Sequence, residues 1–142
     1  MNKNLEKAKE LLIAEELTCC FTDGNRVYKS RERGVKPLLS YLDEGIDTKD
    51  LCAADKVIGK AAAFLYVLLG IKWVYADVIS QKALEVFRKY GVEISFSTLV
   101  PAIRNRTNTG FCPMETAVEN INEPQAALEA IKEKLKELSG NK

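Results

Sequence analysis

Residues 51 to 70 read LCAADKVIGKAAAFLYVLLG, and the fold turns on how this stretch is taken. Its only charges are Asp55, Lys56 and Lys60, all toward its start, and the run from Ala61 to Leu69 carries none. A helix apolar on every side lies in a core or a membrane, and this clean run falls well short of the roughly 20 residues that cross a bilayer. The stretch is therefore predicted to be the central buried helix of a single α/β domain covering 1–142. A buried helix exposes ionic groups only where its end reaches a cleft, so Asp55, Lys56 and Lys60 mark that cleft. Lys56 and Lys60, four apart, share a face. Asp55 suits the start of a helix dipole, whereas Lys56 opposes it.

On the N-terminal side, Leu5, Ala8, Leu11 and Leu12 recur at helical spacing and predict an amphipathic first helix from Asn4 to Glu16. Leu17 to Thr22 and Arg26 to Ser30 are strand-like, and the Asp23-Gly24-Asn25 between them is turn chemistry, which makes a hairpin. Cys19 and Cys20 then point to opposite faces of one strand and cannot pair as metal ligands. The charged loop SRERGVK, Ser30 to Lys36, hinges at Gly34, and Pro37 opens a short helix that Gly45 closes.

On the C-terminal side, Gly70 stops the central helix and IKWVYADVI, Ile71 to Ile79, is β-branched and aromatic enough for an inner strand. Ser80 caps a helix with Ala83, Leu84, Phe87 and Tyr90 on one stripe, Gly91 ends it, and Val92 to Phe96 alternates as a strand. Strand, helix, strand in that order make a βαβ unit with a parallel pair. Thr98 to Phe111 is then the longest irregular stretch. A helix starts near Pro113, and Asn122 caps a last amphipathic helix bearing Ala127, Leu128, Ile131, Leu135 and Leu138.

The bulk composition narrows the partners. The 142 residues hold 21 basic and 20 acidic side chains, a net charge of +1 without a basic stripe, which disfavours a nucleic-acid polymer as partner. A membrane is excluded as partner by the short apolar run. The N-terminal NKNLEKAKE is too charged for a signal peptide, and the four cysteines lack a secreted framework spacing, so a reducing cytoplasm is expected. There is no histidine, which removes the commonest general base and a frequent zinc ligand. No C-x-x-C spacing exists, Cys52 reads as core, and no metal or other cofactor is expected.

Three groups of residues carry candidate chemistry. Cys112-Pro113-Met114-Glu115 puts a thiol at the start of a helix and an acid at its third position. Cys112 is then either a small buried hydrophobe with Glu115 as capping acid, or a nucleophile activated by the helix dipole. The loop before it, Arg104 to Thr109, offers Asn105, Arg106, Thr107 and Thr109 to an anion or a polar heterocycle, or is a solvated surface loop. Arg31, Arg33 and Lys36 of the SRERGVK loop either add to that site or form a charged face. Asp55 is either the cap of the central helix or a carboxylate tuned by burial, exchanging protons with Lys56 or Lys60 as partner.

SRERGVKPLL, AADKVIGKAAA and LVPAIRNRTNTGFCPME, in this element order, resemble the family known as domain of unknown function 1893, within the cytidine-deaminase-like superfamily. The resemblance covers nearly the whole chain and implies a three-layer α/β/α sandwich with a mixed sheet. It also implies that Asp55, Lys56, the SRERG loop with Gly34, and the NRTNTGFCPME segment converge on one pocket. In zinc deaminases a His or Cys and a catalytic Glu open the central helix, and P-C-x-x-C opens the helix after the next strand. The matching places here read Ala53-Ala54-Asp55 and Ser80-Gln81-Lys82-Ala83, so Asp55 approximates the Glu and the metal ligands are missing.

The expected function is binding of a small polar or anionic, nucleoside- or nucleotide-like molecule, without the zinc site. If the protein is an enzyme, Cys112 is its nucleophile, Asp55 or Glu115 its proton-transfer group, and Lys56, Asn105 and Arg106 its charge stabilisers. The rival expectation is a sensing or interaction module, with a homo-oligomer formed through exposed helices.

Overall fold

The computed structural model describes residues 2–32, 34–103 and 112–140. In order the elements are α1 (Lys3–Ala14), β1 (Cys19–Thr22), β2 (Val27–Ser30), α2 (Lys36–Glu44), β3 (Cys52–Ile58), α3 (Lys60–Leu69), β4 (Trp73–Ser80), α4 (Gln81–Lys89), β5 (Glu93–Val100), α5 (Pro113–Ala117) and α6 (Pro124–Gly140). No described helix is long and apolar enough to cross a membrane.

The deciding stretch is two elements and not the single helix expected of it. Leu51 to Ile58 enters the sheet as β3, Gly59 turns the chain, and only Lys60 to Leu69 is helical. The physical reason is that a strand buried on both faces is as uniformly apolar as a buried helix, so hydropathy does not separate them. Here Ala53 faces one core and Cys52 and Ala54 the other. Asp55 is therefore no helix cap: it sits mid-strand, in register with Cys19 of β1 and Ala76 of β4. Lys56 lies in the same strand with an exposed side chain, so the dipole argument does not apply to it.

The five strands form one mixed sheet in the order β2-β1-β3-β4-β5, with β1 antiparallel to both neighbours and β3, β4 and β5 mutually parallel. The predicted hairpin is β1–β2, and the predicted βαβ unit is β4-α4-β5. A second, β3-α3-β4, arises because the stretch read as one helix holds both β3 and α3 ahead of the expected strand β4. Helices cover both sides of the sheet. Leu5, Ala8 and Leu12 of α1 pack on Cys20, Cys52, Ala54 and Tyr75. On the opposite side Leu38 of α2, Phe64 and Leu65 of α3 and Phe87 of α4 pack on Phe21, Ala53 and Val74, with Ile131 of α6 against them. Cys19 and Cys20 divide between these two cores, as their adjacency in a strand requires.

Two boundaries differ from the sequence reading. Strand β5 continues past Phe96 to Val100: Ser97-Thr98 breaks the apolar-polar alternation that marks the strand in sequence, but the pairing with β4 runs on. The last helix is entered by Glu123, not Asn122: its carboxylate accepts the amides of Gln125 and Ala126 at 3.2 and 2.9 Å. Ser80 is the cap expected of it, its hydroxyl accepting from the Ala83 amide at 3.1 Å.

Candidate functional site

The C-terminal ends of β3 and β4 meet the start of α3, and two carboxylates reach this helix, one from the strand just before it and one from a segment 55 residues later. Asp55 is 8% exposed. The Tyr66 hydroxyl, in the second turn of α3, donates to its Oδ2 at 2.6 Å, and the Val57 amide donates to Oδ1 at 3.3 Å. Cys19 Sγ lies 3.4 Å from the Tyr66 oxygen. When Asp55 is ionised the single tyrosine proton is committed to it, so the thiol is the donor in that last contact.

Burial governs the protonation of this trio. It pushes the Asp55 carboxyl up to about 7 against the pull of the Tyr66, Val57 and Lys56 hydrogen bonds. Burial, reinforced by the Asp55 charge, drives Cys19 and Tyr66 well above their ordinary values. Asp55 is thus a carboxyl that exchanges its proton near neutrality inside a hydrogen-bonded network. Cys19 and Tyr66 were not singled out in the sequence; the alternation of β1 put Cys19 on the α3 side, and nothing local pointed to Tyr66.

The second carboxylate is Glu115. The backbone amides of Lys60 and Ala61 donate to its two oxygens at 2.8 and 3.0 Å, so Glu115 caps α3 across the fold rather than its own helix. Gly59, the residue before α3, makes room for it. A Cβ at Gly59 would lie 2.5 to 2.6 Å from the Glu115 carboxylate. Glycine is required here by space and not by conformation, since Gly59 has φ −100°. A carboxylate against the free amides of a helix start is favourable through both hydrogen bonding and the dipole.

Lys60 is buried, with its amine donating to the Glu119 carbonyl at 3.2 Å and lying 5.8 Å from the Phe64 ring centroid. Burial lowers its pKa, with the Lys82 charge adding to the effect and the Glu115 charge opposing it. Cys112 is half-buried at the start of α5 and its thiol caps nothing; its carbonyl accepts the amides of Glu115 and Thr116. Its own amide donates to the Ile103 carbonyl at 3.2 Å, so residues 103 and 112 meet.

The remaining candidates are dispersed. The Arg31 guanidinium donates to the Glu15 carbonyl at 2.9 Å and is exposed, and Gly34 is an exposed turn residue with φ +71°. Arg33, Asn105, Arg106, Thr107 and Thr109 lie outside the described residues. The structure brings together Glu115, Lys60, Gly59 and the chain around Cys112 at the first turn of α3. Asp55 joins the helix at Tyr66, about 8 Å further along its axis. Two shallow hollows flank β5, and neither is lined by Asp55, Lys60, Cys112 or Glu115.

Comparison with known proteins agrees with this architecture. The family model described as TM1506: Domain of unknown function (DUF1893) matches residues 7–135. The chain is also similar to the crystal structure of a DUF1893 family protein (TM1506) from Thermotoga maritima at 2.70 Å resolution. That similarity has a TM-score of 0.85 at 25% identity and covers 96% of this chain and 92% of the other. Among curated proteins none matches. Since the family match runs from the first helix to the last and takes in both Asp55 and Glu115, the chain belongs to the DUF1893 family.

Proposed function

We propose that this protein is a cytidine-deaminase-like α/β/α sandwich that binds a small anionic or base-like molecule where α3 begins, without zinc-deaminase chemistry. The superfamily reading rests on the strand order β2-β1-β3-β4-β5 with one antiparallel inner strand, and on helices covering both faces. The residues do not fit a deaminase zinc. Helix α3 opens on Gly59-Lys60-Ala61 and α4 on Ser80-Gln81-Lys82-Ala83, neither of which supplies a thiolate or imidazole, and the Ser80 hydroxyl is engaged as a cap. Asp55 no longer stands at the place of the catalytic Glu, because it precedes the helix by a half-strand. Among the described residues no three His, Cys, Asp or Glu side chains gather as a metal-holding group.

The observation that carries the ligand reading is the Glu115 carboxylate on the α3 amides. It marks a position, outside the carboxyl ends of parallel strands, where a carboxylate or phosphate oxygen is accommodated by geometry and charge. A ligand anion binds there by exchanging with Glu115, with the Lys60 amine, now on the Glu119 carbonyl, on the same first turn and Cys112 on the segment that Glu115 anchors. Chemistry at Cys112 would draw on Glu115 for proton transfer, since Asp55 is held further along α3 by Tyr66.

Thermal-shift titration with phosphate, nucleosides and nucleotides tests the reading. At a hundred times its dissociation constant a ligand stabilises by about 2.7 kcal/mol, or roughly 8 °C for a domain of this size. Glu115→Gln removes the internal competitor and strengthens the anion response. A flat screen with both proteins refutes ligand binding and leaves the interaction module.

A further inference from the structure

The two edges of the sheet are built differently. Edge strand β2 has four residues and carries Lys29, whose amine is salt-bridged to Glu15 at 2.9 Å. Short length and lysine are ordinary protections against strand addition. Edge strand β5 is twice as long, eight residues, and has no charge after Glu93. Among the described residues nothing pairs with its outer edge. Phe96 and Leu99 are 37% and 43% exposed along it.

The direction of its free backbone groups follows from one hydrogen bond. The Glu93 amide donates to the Lys72 carbonyl at 2.8 Å, so Glu93 points its peptide groups inward to β4. The pairing with β4 keeps one offset from Glu93 to Val100, without a bulge. Backbone direction alternates along a strand, so Ile94, Phe96, Thr98 and Val100 point their amides and carbonyls outward. The same four share the sheet face on which Leu84 and Arg88 of α4 border a hollow of about 330 Å³ beside Ile94 and Phe96. A second hollow lies at the other end of the strand, beside Val100.

From this geometry we infer that β5 pairs antiparallel with β5 of a second copy about a two-fold axis at Ser97, joining two five-stranded sheets into one. About this axis Ile94 of each copy meets Val100 of the other, and Phe96 meets Thr98. All four outward residues are used, giving roughly eight inter-chain backbone hydrogen bonds. Every opposed pair is neutral. The strand's one charged residue, Glu93, falls opposite Pro101, whose missing amide costs nothing there because that position faces inward. A two-fold axis exchanges strand ends, so the hollow beside Ile94 and Phe96 receives Val100 and Thr98, and the hollow beside Val100 receives Ile94. A charged peptide finds only Glu93 at one end of β5 and Arg88 beside it, with no charge from Ile94 to Val100, whereas a second copy finds a partner matched in length, polarity and hydrogen-bond spacing.

Sedimentation equilibrium on the whole chain, with two kinds of variant, tests the interface. Wild type is expected at about twice 15.8 kDa. Thr98→Pro deletes an outward amide without touching the β4 ladder, and is expected to raise the dimer dissociation constant by about tenfold or more. Phe96→Lys does the same by charge should the proline variant fold poorly. The register is read by mild oxidation of Ser97→Cys. Residue 97 faces its own copy as a non-hydrogen-bonded pair, at a Cα separation of about 4.5 Å that a disulfide spans. Ser95→Cys, four residues out of register and about 13 Å from its counterpart, is expected to cross-link no more than wild type. A wild-type monomer at millimolar protein, unchanged dimer affinity in a folded Thr98→Pro or Phe96→Lys, or no Ser97→Cys dimer above the wild-type level would each overturn the proposal.

Discussion

Replacing Asp55 by Asn should abolish the pH dependence of stability at one position. In the unfolded chain this carboxyl titrates at 3.8, and in the folded protein at about 7, because burial penalises its charge more than Tyr66 and the backbone amides relieve it. Below pH 4 both states hold the proton and the site contributes nothing. Between pH 4 and pH 7 the folded state keeps a proton that the unfolded state has lost, so stability falls as pH rises, by about 1.4 kcal/mol per unit. Above pH 7 both are ionised, and the accumulated cost levels off at roughly 4 kcal/mol. Asparagine never ionises. Its amide oxygen can accept the Tyr66 hydroxyl, but its NH2 then meets the Val57 amide donor to donor, at about 1.5 kcal/mol. Asp55→Asn should therefore be less stable than wild type at pH 4, equal to it near pH 5, and more stable by roughly 2 to 3 kcal/mol at pH 8. Urea unfolding followed by circular dichroism from pH 4 to 8.5 gives the difference directly, with all other titrating groups cancelling between the two proteins. Two parallel curves would mean that Asp55 takes up no proton on folding, and the reasoning from burial would fail.

Further outcomes test the rest of the site. Gly59→Ala should destabilise by about 1 to 3 kcal/mol through its clash with the Glu115 carboxylate. Glu115→Ala should cost about 1 to 2 kcal/mol by uncapping α3. In the double variant the clash is gone, so the two penalties should sum to distinctly more than the measured loss; strict additivity would separate the two residues. Native-state thiol labelling should modify Cys112 alone, since Cys19, Cys20 and Cys52 are buried, and rapid reaction of a second thiol would contradict the assigned cores.

The sequence carries this fold clearly wherever a local rule is strong. Asp23-Gly24-Asn25 spells a hairpin turn, Ser80 spells a cap, Gly70 and Gly91 spell helix ends, and each element lies where those residues put it. It carries the fold poorly from Leu51 to Ile58, because small apolar residues on both faces erase the two-residue period by which a strand is recognised. It could not carry the Glu115 to Lys60 bond at all, since the partners are 55 residues apart and the Cys112-to-Glu115 spacing points the acid at its own helix. Of the two readings of Asp55, helix cap or carboxylate tuned by burial, its strand position removes the first, and its side chain is buried. Tyr66, which gives that acid its partner, looked like one more aromatic in a greasy run.

The reach of Glu115 across the fold also orders events in time. A nascent chain emerges from its N-terminal end, and by the time residue 111 has left the ribosome the sheet strands are already out while the first amides of α3 still lack their acceptor. The Gly59 turn stays unlatched until Glu115 arrives, so the late segment acts as a clasp on a nearly finished domain. A chain terminated just before Cys112 should therefore collapse with its central helix frayed at the start, and be digested there first by a protease.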